Sequence, residues 1–166
     1  MYYEIVSQCV QSMKNLDIFL DKAQQHATQK KFDVAILMKS SLAPDMKNFI
    51  YQVQSACDYA KAAPAWLSGQ TPPKHEDNEK TIEEVRARVK KTVDFMQSVK
   101  KEQYVGASDR AIKVSWAPGK VFSGQEYLLQ VTIPNVYFHI SMAYAILRNN
   151  GVDVGKMDYL GPLYRS

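Results

Sequence analysis

Asn135 and His139 are the pair of polar side chains whose spacing could do chemistry. They lie four positions apart, so on a helix the amide and the imidazole share one face, a turn from each other. Both fall in the progression Leu128, Thr132, Asn135, His139, Met142 and Ile146, whose steps of four, three, four, three and four predict a buried helical seam. Pro134 directly precedes Asn135, removes one backbone N–H and frees a carbonyl near Gln130. An amide and an imidazole facing inward beside an opened turn, with Tyr137 and Tyr144 close in sequence, are groups from which helical bundles build ligand and metal sites. The same residues could serve packing alone. A core histidine bonded to an asparagine or a tyrosine hydroxyl satisfies both partners and fixes register.

A metal site needs three protein ligands if catalytic and four if structural. The chain has three histidines, and His75 falls in a polar connection, so a histidine-rich site is hard to assemble. Asp58 or Glu126 could complete a set around His139, although their spacing does not demand it. Cys9 and Cys57 are the only cysteines; both sit at apolar helical positions and are expected as buried free thiols. The sequence contains no glycine-rich phosphate loop, CxxC, HExxH or GxSxG motif. Its 21 basic against 17 acidic residues leave a net charge of +4, too little for a nucleic-acid partner without a patch. The densest basic run, Arg86 to Lys91, follows Glu79, Glu83 and Glu84, an order that complements a helix dipole and predicts a solvated face.

Long helices must position these groups. Ile5, Cys9, Met13, Leu16, Leu20, Ala23 and Ala27 give the first its stripe, and Val34–Met38 reads as a short helical piece. Leu42-Ala43-Pro44-Asp45 is expected to open the second helix, with Met46, Ile50, Val53, Cys57, Ala60 and Leu67 buried and Gly69 as its stop. Thr81 and Glu84 form a capping-box pattern at the head of the third. Alternation in Ile112–Trp116, then the turn signal Ala117-Pro118-Gly119-Lys120, predicts a small β-hairpin before the last helix. That helix should run from about Gln125 to Asn149, and the tail through Tyr159–Tyr164 is apolar enough to pack on the bundle or on a second copy.

Between Glu126 and Arg148 lie 21 residues without a formal charge, about the length of a membrane span. Gln130, Thr132, Pro134, Asn135, His139 and Ser141 argue instead for a buried bundle helix. The N-terminus lacks a basic region and an apolar run of signal length, so a cytoplasmic protein with no membrane partner is the expectation.

The order of elements resembles the DinB/YfiT-like superfamily. The resemblance rests on Asn135-Val136-Tyr137-Phe138-His139 and Ile146-Leu147-Arg148-Asn149-Asn150-Gly151-Val152. Met1-Tyr2-Tyr3, Leu42–Met46, Gln52-Val53-Gln54 and Gly124–Leu129 are similar to its uncharacterised branch, a family of unknown function. It covers nearly the whole chain and implies one all-α domain over residues 1–166: an up-down four-helix bundle with the hairpin inserted before the last helix, in a bacterial protein for which a homodimer is an expectation. In the superfamily three histidines usually hold a divalent metal, and members include thiol-dependent transferases and isomerases. By the resemblance His139 matches one metal ligand, while Asn135 and Gln54 stand where the other two would be. An amide oxygen is a poor zinc or nickel ligand. The resemblance therefore implies a polar cavity lined by Gln54, Asn135 and His139 that binds a small molecule, with its processing as an extension of that role, and without a tightly held cofactor. A metal-dependent transferase or hydrolase using His139, and a non-enzymatic homodimeric interaction module, are the alternatives.

Overall fold

Seven α-helices follow one another in the computed structural model, which describes residues 1–162: α1 (Tyr2–Lys30), α2 (Ala35–Lys39), α3 (Phe49–Ser68), α4 (Ile82–Ser98), α5 (Gly124–Glu126), α6 (Ile133–Asn149) and α7 (Lys156–Leu160). A wide π-helical turn, Tyr127–Thr132, joins α5 to α6 in one rod. Helices α1, α3, α4 and α6 make the bundle: α3 packs on α4 and α6, α1 packs on the same two, and one apolar core runs between them. No helix among the described residues is long and apolar enough to cross a membrane.

Local chemistry accounts for most boundaries. The expected stripe of α1 is buried from Cys9 to Ala27, and Lys31 ends the helix in the left-handed conformation. Helix α3 starts later than expected. Pro44 lies in a non-helical turn, Asn48 caps the helix by accepting the Tyr51 N–H at 3.0 Å, and Met46 stays outside it, partly exposed. Gly69 closes α3 at φ 80°, a conformation that costs a side-chain-bearing residue. The Thr81–Glu84 capping box forms as expected, with Glu84 N–H donating to Thr81 Oγ1 at 3.3 Å and Thr81 N–H to Glu84 at 3.0 Å.

The predicted β-hairpin is not formed. Residues 105–123 hold a single antiparallel bridge, Ile112 with Phe122, closed by backbone hydrogen bonds of 2.8 and 2.9 Å. Two successive turns, Ala117 N–H to Val114 O and Lys120 N–H to Ala117 O, bend the intervening chain away from a second rung. A two-stranded ladder has little stability of its own, and here the loop is held instead by Ile112 in the core and Trp116 against Phe122.

The π-turn corrects the seam predicted for the last helix. Leu128, Thr132 and Ile146 of that seam are buried, but between them the inward positions are Val136, Ile140 and Ala143, with Tyr127, Val131 and Leu147 buried beside the seam. One extra residue in the wide turn shifts the inward face by one position after Thr132. Asn135, His139 and Met142 move to the flank of α6, half-buried, and Phe138 and Leu129 are exposed at 53% and 46%. The charge-free stretch is therefore not buried all round.

The tail packs back on α1. Asn15 Nδ2 donates to Tyr159 O at 2.9 Å, and Lys22 pairs with Asp158 at 2.6 Å. Leu163 and Tyr164 lie outside the described residues. Gly124, at the head of α5, passes so close to the Ala107 carbonyl oxygen that a Cβ would collide with backbone. Gly124→Ala is expected to destabilise the fold by about 1–3 kcal/mol through overpacking, read as a lower urea midpoint at unchanged slope.

Candidate functional site

Helix α3 carries a second stripe beside its core face. Tyr51, Ser55, Tyr59, Ala62 and Trp66 step by four, four, three and four and form one wall of an open cleft of about 400 Å³. His139 of α6 and Tyr127 of the π-turn form the floor, and Val114–Trp116 of the long loop close the far side. Among the described residues Asp58 and Asp77 supply the only formal charges in its lining.

His139 is held in one orientation. Its Nδ1 lies 2.8 Å from Oε1 of Gln52, and the Gln52 amide N–H donates to Lys47 O at 3.1 Å. The second bond fixes which end of the amide meets the imidazole. Nδ1 therefore carries the proton and donates, leaving Nε2 with its lone pair. The Tyr59 ring stacks on the imidazole at 5.8 Å and 14°, and Tyr51 meets it edge-on at 6.3 Å. Burial holds the His139 pKa below its ordinary value, so the ring is neutral at pH 7. A neutral imidazole of fixed tautomer can accept a hydrogen bond, or a proton, from a bound molecule.

The structure does not gather Gln54, Asn135 and His139 into one cavity. Gln54 donates to Glu79 Oε2 at 2.8 Å and lines a different groove, beside Lys47 and Lys80. Gln52 meets His139 instead, because two positions along a helix are about 200° apart. Asn135 turns its amide back on its own helix, donating to Val131 O at 2.7 Å, where it supports the backbone opened by Pro134 and the π-turn. His139 alone of the three lines the cleft.

The donors present do not fit a divalent metal. His139 offers one nitrogen donor, Nε2, and the facing α3 residue is the amide of Gln52, so further ligands would have to come from elsewhere. Asp58 is bonded to Arg88 at 2.7 Å and to Lys61. Glu126 sits outside the cleft, bonded to the Ser123 N–H at 2.8 Å in the cap of α5. Among the described residues no three His, Cys, Asp or Glu side chains converge as a metal site. Cys9 and Cys57 are buried free thiols, their pKa values pushed up to about 11 and 12 by burial, and so stay protonated and unreactive.

Arg88 departs from the expected solvated face. Its side chain is 2% exposed and reaches Asp58 at 2.7 Å, Asp77 at 3.0 Å, Glu79 at 3.1 Å and the Glu76 carbonyl at 2.9 Å. This ties α3, α4 and the 71–80 connection together at the edge of the cleft. The signal was present in its position, three after Val85 and four before Thr92, both buried. The aromatic stripe of α3 was likewise readable at helical spacing, whereas Asp77, Trp116 and the Gln52 contact carried no local signal.

A family described as Domain of unknown function (DUF1993) matches residues 1–160. The crystal structure of a DinB family member protein from Shewanella denitrificans superimposes with a TM-score of 0.93 at 42% sequence identity, covering 99% of this chain and 94% of that one. No curated protein matches.

Arg88→Met removes the cation shared by three carboxylates and is expected to cost about 3 kcal/mol in urea unfolding, the low end for a broken buried pair, since Asp58 keeps Lys61, Glu79 keeps Gln54, and Asp58 and Asp77 reach water. His75 gives a pH dependence. Burial first, then Lys61, Lys91 and Arg88, lower its pKa to about 4, with Asp58 opposing. The unfolded chain, with an ordinary imidazole, binds the proton that the folded chain refuses. Stability should therefore be full above pH 6.5 and fall as pH drops toward 4. Thermal melts across that window should show a shallower decline for His75→Gln.

Proposed function

The chain belongs to DUF1993, a domain-of-unknown-function branch of the DinB-like proteins, and from that premise we propose that it binds a small molecule in the cleft beside His139 without a tightly held metal. The observation that carries this reading is an imidazole fixed by Gln52, its Nε2 without a partner among the described residues, set in a cleft of about 400 Å³ with aromatic walls. That volume lies in the range of about 300–1,000 Å³ found for small-molecule sites, which are mostly apolar with a few placed polar groups. The fixed tautomer offers one acceptor where a ligand's N–H or O–H would dock. If a reaction follows binding, His139 is the residue placed to take the proton, since it is neutral at pH 7.

Ala62 lines the cleft from α3 and is only half-buried, so it can be enlarged without invading the core. Ala62→Trp is expected to abolish ligand binding in a fragment screen followed by NMR shifts, with the helical circular dichroism unchanged. Hits that survive in this variant would move the site elsewhere. Metal analysis of protein purified without a chelating tag tests the other half. About one equivalent of transition metal, lost in His139→Ala, would replace this reading with a metal-dependent transferase or hydrolase.

A further inference from the structure

We infer that the ligand of the cleft is an organic cation, an ammonium group carried on a compact apolar body; this rests on the proposed small-molecule reading and names its chemical class. The first argument is the placement of charge. Asp58 and Asp77 line the cleft, and no lysine or arginine among the described residues does, in a chain whose net charge is +4. The cations that balance these carboxylates stand behind them. The side chains of Arg88 and Lys61 are 2% and 7% exposed, while Asp58 and Asp77 are 41% and 56% exposed. Negative charge therefore meets solvent in the cleft, and the positive charge is screened from it by protein.

The second argument is hydrogen-bond capacity. Arg88 and Lys61 both bond to Oδ1 of Asp58, and Arg88 bonds to Oδ1 of Asp77. The Oδ2 atoms of both aspartates have no partner among the described residues. Glu79, the third carboxylate on Arg88, spends its other oxygen on Gln54, so it offers nothing further. Three carboxylates thus face two buried cations, and the surplus negative charge is carried by atoms at the cleft. Nε2 of His139 adds an acceptor.

The third argument is the wall. Tyr51, Tyr59, Trp66 and Trp116 line the cleft with aromatic rings, which can attract a cation and cover the apolar part of a ligand, although one face of Tyr59 is stacked on His139 and Lys47 Nζ lies 5.3 Å over the Tyr51 ring. An anion would meet two exposed carboxylates, and the cation against the wall, Lys47, is already placed over the Tyr51 ring. A neutral ligand would leave the carboxylate oxygens half-desolvated and unpaired.

The chain's two tryptophans, Trp66 and Trp116, both line the cleft, so intrinsic fluorescence reports on it directly. The probes are benzylamine, protonated at pH 7, benzyl alcohol and benzoate, titrated at low salt. Benzylammonium should change the emission saturably and bind at least about tenfold more tightly than the alcohol, with no saturable effect of benzoate. Asp77→Asn should weaken benzylammonium by about threefold or more and leave the alcohol unchanged. Asp77 is the better variant because Asp58 also anchors Lys61. If the alcohol or benzoate binds as tightly as the ammonium, the charge assignment fails while small-molecule binding stands. If none of the three perturbs the tryptophans, and the fragment screen also finds no cleft ligand, both fail together.

Discussion

A single widened turn at Tyr127–Thr132 sets the rotation of the last bundle helix, and through it the composition of both the core and the cleft. With an unbroken α-helical period, Asn135, His139 and Met142 would point into the bundle. A buried amide and imidazole would then need partners in a region where the neighbouring helices offer Leu16, Leu20, Val53 and Ala60. The extra residue turns Val136, Ile140 and Ala143 inward and carries His139 to the α3 edge, where Gln52 and two tyrosine rings receive it. Pro134 and the Asn135 side chain support the same feature from the C-terminal side. Proline removes a backbone donor, and the amide supplies one to Val131 O.

Arg88 has the matching role on the other side of the cleft. A guanidinium with five donors in a planar fork can hold several acceptors at once, which a lysine could not do with the same geometry. By gathering Asp58, Asp77 and Glu79 it fixes a proline-containing connection that has no secondary structure of its own. Its burial also decides the electrostatics. The carboxylates keep their outer oxygens toward solvent while the cation is covered, so one ion cluster is both a structural tie and a polarised surface.

Much of the scaffold was legible from local pattern. The stripe of α1, the Thr81–Glu84 box, the Gly69 stop and the burial of both cysteines follow from periodicity and capping, which depend on neighbours within a few residues. The hairpin was misread because alternation in Ile112–Trp116 signals a strand only if a partner runs beside it for several rungs, and the turns after Val114 prevent that. The start of α3 was misread because Pro44 is compatible with both a first helical turn and a free turn. The capping bond from Asn48 decides between them.

Residue types and spacing thus determined, without any structure, that the chain is a helical bundle and that His139 is its most informative side chain. Tertiary structure decided which residues stand around it. Gln52 rather than Gln54 reaches the imidazole because the rotation of α3 against α6 is set by the whole core, and a 200° difference in direction lies between two residues only two apart. Asp77 and Trp116 enter the cleft from loops far along the chain, positioned by Arg88 and by Ile112 in the core. Helical period is a local property and can be read along a sequence. The register of one helix against another is a global packing outcome, and a single π-turn is enough to change it.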